Sequence, residues 1–188
     1  MCNVRIRGGR LGPGVGHALQ DPAGRKRQHD YLLVLTWLES TKLAVWLAES
    51  PSLWGFATVL TLHTAGMAVL VGASWVLDMR LLGVNRRVPL SAYRWVFPVV
   101  AIGLLVNIVT GVMLFMKSAT KWGTAIPFLV KMLLVIASVG VLVPLRSHVL
   151  RNDADTEASG NLRLLAIASI LAWTGAVTAG RLLAYLVP

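Results

Sequence analysis

This chain predicts an all-α integral membrane protein, a four-helix bundle with a preceding interfacial amphipathic helix, and three observations carry that expectation. The 188 residues are 56% hydrophobic and only 14% charged, with a mean hydropathy of +0.68, outside the range of ordinary soluble domains. Four apolar runs each reach the ~20 residues that a helix needs to cross a bilayer core. Short arginine-rich connections, not folded domains, join them. The formal net charge of +10 is therefore explained by topology and lipid headgroups. No basic face carries interleaved aromatics, which excludes nucleic acid and leaves the lipid bilayer as the first partner. The single cysteine, Cys2, allows no internal disulfide, no CxxCH haem attachment and no thiolate cluster.

Residues 1–30 read as a disordered basic N-terminal tail, or as an over-extended start of the reading frame. They hold Arg5, Arg7, Arg10, Arg25, Lys26 and Arg27 and many glycines, without an apolar core long enough for a signal peptide. His17 and His29 lie there as solvated side chains. Residues 31–188 form the transmembrane domain. Its first stretch, Tyr31 to Glu49, is apolar at both ends and interrupted by Glu39, Ser40 and Lys42. Two charges at mid-helix would each cost ~2.5–3.5 kcal/mol on insertion, so an interfacial helix is preferred to a fifth span. Ser50 or Ser52 can cap the helix that follows.

The four spans are expected at about 54–79, 95–116, 124–145 and 164–187. Arg80, Arg86, Arg87 and Arg94 face Asp78 alone between the first two, which places that connection in the cytoplasm and the C-terminus outside. The loop from Arg146 to Arg163 falls on the same side. Trp54, Trp122 and Tyr185 mark one interface, and Trp75, Tyr93 and Trp95 the other. Small residues recur every four positions at Ala168, Ala172, Ala176, Gly180 and Ala184, and again at Gly103, Asn107 and Gly111. Ridges of this kind let helix backbones approach and should face protein.

Polar residues inside these spans converge on one level. At ~1.5 Å of rise per residue, His63 lies ~13 Å below the outer end of its helix, Lys131 ~10 Å and Arg181 ~9 Å, with Asn107 and Thr110 at similar depth. Ionisable groups at such depth are costly and normally face a bundle interior or pair with a ligand. Two cations, an imidazole and an amide suit an anionic amphiphile such as haem b, with His63 as the metal ligand and Lys131 and Arg181 on the propionates. Copper is the alternative cofactor, since Met67, Met113, Met116 and Met132 offer soft thioethers near His63. A quinone held by His63 and Asn107 uses the same residues. Each polar group also has a plain structural reading: a histidine bonded to a neighbouring helix, and cations that snorkel to the headgroups.

The order "LHTAG", "DMRLLG", "TGVMLF" and "PFLVKMLLVIASVGVL" resembles the helical core of HemJ-type protoporphyrinogen oxidases and CopD-like copper-resistance membrane domains. With "ESPSLWG" and the terminal "TAGRLLAYL", residues 36–188 also resemble a family of four-helix bacterial inner-membrane domains, which implies a fold and no activity. Carried over, the histidine of the first resemblance falls on His63, its arginine on Arg80 and its lysine on Lys131. The resemblance implies a multi-pass protein of the bacterial inner membrane, with a b-type haem near the histidine and lysine. Catalytic residues remain unassigned. The competing functions are haem or redox chemistry, copper handling, and a non-catalytic accessory subunit that binds other membrane subunits.

Overall fold

The computed structural model describes residues 22–49, 54–151 and 160–186. They form seven α-helices: α1 (Pro22–Glu39), α2 (Lys42–Glu49), α3 (Phe56–Leu81), α4 (Val96–Lys117), α5 (Ala119–Gly123), α6 (Ile126–Arg151) and α7 (Gly160–Leu186). A 3₁₀ turn at Leu90–Tyr93 leads into α4, and no strand occurs among the described residues. Four stretches are long and apolar enough to cross a membrane: Phe56–Leu81, Leu90–Lys117, Ile126–Leu150 and Gly160–Leu183. The chain is a multi-pass, all-α membrane protein.

The chain divides into two units, Met1–Val34 and Leu35–Pro188. In the first, the described residues are the opening turns of α1, where the side chains of Arg25 to Val34 are exposed. This corrects the expected tail: a helix starts at Pro22, well before Tyr31. Proline is preorganised for the first helical position, and Arg25, Lys26, Arg27 and Gln28 are good helix formers. Residues 1–21 and the capping serines Ser50 and Ser52 lie outside the described residues.

The second unit holds the bundle. The single helix expected over 31–49 is instead two helices broken at Ser40 and Thr41. Both hydroxyls turn back on the preceding helix, Ser40 Oγ donating to the Trp37 carbonyl at 2.8 Å and Thr41 Oγ1 to that of Leu38 at 2.8 Å. Such local bonds compete with helix continuation. Glu39 escapes burial as a lone charge because its Oε1 accepts from Thr120 N at 2.8 Å and Thr120 Oγ1 at 2.7 Å, in the first turn of α5. Leu47 of α2 is buried against Val59 and Leu114. Residues 35–49 therefore pack at the end of the bundle where α3 begins and α4 finishes. Lys117 closes that end, its Nζ 3.7 Å above the Phe56 ring.

α3 and α4 pack as one antiparallel hairpin and α6 and α7 as another, and α3 against α7 joins the two. The first hairpin is close because a Cβ on Gly103 would stand 3.1 Å from the Gly66 carbonyl oxygen and from Leu70 N. The Gly103–Asn107–Gly111 ridge faces α3 as expected. The ridge of α7 does so only in part, since Ala176 is buried but Ala168 is exposed. The buried face of α7 follows Leu162, Ala166, Ser169, Trp173, Ala176 and Leu183, a spacing of three and four that a strict four-residue ridge drifts away from. A groove of about 310 Å³ runs between α4 and α6, apolar apart from Arg146.

At the other end, the main core gathers Leu77, Leu81, Leu90, Val96, Leu145, Val149 and Trp173. Arg80 organises the adjoining connection, donating from Nε to the Val88 carbonyl at 2.7 Å and from Nη2 to that of Arg86 at 3.2 Å. Gly83, at φ 104°, permits the turn there, and the Arg86 guanidinium lies over it.

Candidate functional site

The polar layer around His63 is built on the α3–α4 hairpin. His63 is half-buried on α3, and its Nδ1 lies 2.9 Å from Thr110 Oγ1 on α4. The Thr110 hydroxyl has a single hydrogen, which it donates to the Val106 carbonyl at 2.6 Å on its own helix. Thr110 can therefore only accept from the ring. This bonding assigns the proton of the neutral imidazole to Nδ1 and leaves the lone pair on Nε2. The main-chain carbonyl of Asn107 is a second acceptor beside the ring. Gly111 makes room for the ring, because a Cβ there would stand 3.3 Å from His63 Cε1.

Lys131 of α6 is half-buried and within electrostatic reach of His63. Its Cδ, Cε and Nζ lie along the backbone of Gly180, each 3.6 Å from where a Cβ would be. Small residues on α4 and α7 thus seat the His63 and Lys131 side chains. The Asn107 side chain turns away, donating from Nδ2 to the Gly103 carbonyl at 3.1 Å and pressing on Gly66. Arg181 is exposed, since Ala179 and Leu183 turn the buried face of α7 away from it. Of the predicted site residues, His63 meets Thr110 and the carbonyl of Asn107, Lys131 lies along Gly180 within electrostatic reach of the ring, and Arg181 is exposed. Met67 and Met113 pack into the two apolar clusters. No group of three or more His, Cys, Asp or Glu that could hold a metal ion occurs among the described residues.

A second polar layer was hidden in the sequence. Asp78, which reads there as part of a basic connection, lies within α3 and is 0% exposed. Ser169 of α7 faces it. Among the described residues, neither carboxylate oxygen, nor Ser169 Oγ, nor Trp173 Nε1 has a hydrogen-bond partner. The available signal was spacing: Leu70, Ser74, Leu77, Asp78 and Leu81 share one buried helix face.

Comparison with known proteins finds no match to the chain among family models, curated proteins or solved structures.

Proposed function

We propose that this is a bacterial inner-membrane protein that binds haem b in the outer leaflet, where His63 would hold the iron through Nε2 and Lys131 would pair with a propionate. The observation that carries the reading is the hydrogen-bonded ring. A histidine that donates from one nitrogen to a protein oxygen keeps its lone pair on the other, which is the state in which histidines ligate metals. Lys131 adds positive charge at the same level, suited to a carboxylate. The resemblance to HemJ-type proteins, carried by "LHTAG" and "PFLVKM", falls on the same two residues. Haem supplies one-electron redox chemistry when bound. The chain orients the imidazole through Thr110 and balances the propionate charge through Lys131. Among the described residues the other histidines are His29 on α1 and His148 near the far end of α6.

Copper fits less well, as Met67 and Met113 are committed to apolar packing. A quinone carbonyl needs a donor, and Nε2 carries no hydrogen in this tautomer. An absorption spectrum with metal analysis tests the haem reading on detergent-purified protein. Wild type should show a Soret band, His63→Ala should lose it, and Lys131→Met should retain less haem. Arg181→Met should matter less than Lys131→Met, because Arg181 is exposed. A colourless, metal-free wild type from haem-replete cells would overturn the proposal in favour of an accessory subunit.

A further inference from the structure

We infer that Asp78, with the α7 groups that face it, is an intramembrane site for a small monovalent cation, H⁺ or Na⁺. The carboxyl group is fully buried where α3 packs on α7, and both of its oxygens lack a hydrogen-bond partner. An ionised carboxylate in that position is strongly unfavourable unless a positive charge compensates it. The charged or titratable groups around it do not. Arg80 on the same helix spends its guanidinium on the Val88 and Arg86 carbonyls. Arg163 on α7 keeps its Nε buried without a partner. Arg94 ahead of α4, and Arg146 and His148 on α6, are further charged or titratable groups toward this end, and among the described residues none hydrogen-bonds to either Asp78 oxygen.

What surrounds Asp78 is suited to a small cation. Ser169 Oγ and Trp173 Nε1, one turn apart on the buried face of α7, are both unpartnered. Ser74, one turn earlier on α3, donates its hydrogen to the Leu70 carbonyl at 2.9 Å and so keeps oxygen lone pairs to offer. A proton would bond to one carboxyl oxygen and leave the other to accept from Ser169, the α7 side chain that faces Asp78. Sodium would take the carboxylate with serine oxygens, the hard ligands it prefers. Asp78 is three residues from the end of α3, ~5 Å along the helix axis, so the route in is short and starts at the arginine-rich end.

The deciding experiment is thermal unfolding of the full-length protein in detergent, across pH and across NaCl at constant ionic strength, for wild type and Asp78→Asn. The wild-type midpoint should fall when both cations are withdrawn, and that of Asp78→Asn should not move. Dependence on pH alone assigns H⁺, and dependence on NaCl at fixed pH assigns Na⁺. A wild type as insensitive as Asp78→Asn overturns the site. Should Asp78→Asn fail to fold, labelling of wild type with dicyclohexylcarbodiimide decides. The protonated acid adds across the reagent and retains all its atoms as an N-acylurea on Asp78. Its yield should fall by about tenfold per pH unit as the proton leaves, or fall on adding NaCl. No adduct on Asp78 while Glu49 is labelled, or a yield indifferent to both cations, overturns the proposal.

Discussion

The two ends of the bundle satisfy their polar groups in opposite ways. Around His63 and at the adjoining end, polar side chains are paired with protein oxygens or amides: His63 with Thr110, Thr110 with Val106, Asn107 with Gly103, and Glu39 with Thr120. At the arginine-rich end Leu77, Val96, Leu145 and Val149 are 0% exposed, yet Asp78, Ser169 and Trp173 among them are unpartnered. The difference separates dense packing from electrostatic completeness. The His63 layer bonds its imidazole, hydroxyl and amide to protein oxygens and leaves Lys131 for a ligand, whereas the other half is built tightly around a carboxyl group that its own residues leave uncompensated.

The comparison breaks most readily at Arg80. Replacing it with methionine removes two hydrogen bonds from a charged donor to carbonyls of the 82–89 turn, with a loss of about 3 kcal/mol. Hydrogen exchange should then rise at Val88 while the His63 layer stays protected. Equal exchange at both ends would show that the halves are not independent.

A smaller effect is expected where the halves meet. Gly103→Val forces a side chain into the 3.1 Å approach to Gly66 and should cost about 2 kcal/mol, whereas Gly72→Val, with nothing within 4 Å, should be close to neutral. Unfolding in mixed detergent micelles measures both, and similar losses would contradict the close α3–α4 crossing.

The smallest effect on stability is expected at Thr110. Thr110→Val deletes the acceptor for His63 Nδ1 and should cost only about 0.6 kcal/mol, the average for such bonds between membrane helices. If Nε2 ligates haem iron, the same change should weaken haem retention by about 10–100-fold, and Thr110→Ser should restore it. Loss of stability with unchanged retention would confine Thr110 to a packing role.

The membrane class, the four spans, and the depth of His63 and Lys131 were legible because apolar length and polar interruptions are properties of the chain itself, set by what a bilayer tolerates. Asn107 and Arg181 show the limit of that reading. Depth places a residue along the helix axis but not around it, and rotation sends the Asn107 amide back to Gly103 and turns Arg181 outward. The break at Ser40 is local, but the pairing that lets Glu39 stand beside it was not legible, since Thr120 lies 81 residues away in sequence. Asp78 was the largest omission. Near arginines at a helix end it reads as a solvated charge, and only the packing of α3 on α7 removes it from water. Sequence determined which stretches are long and apolar enough to span a membrane, because transfer from water acts on each residue in turn. Tertiary structure alone decided which of them meet, because helix rotation and pairing are set by contacts between residues far apart in the chain.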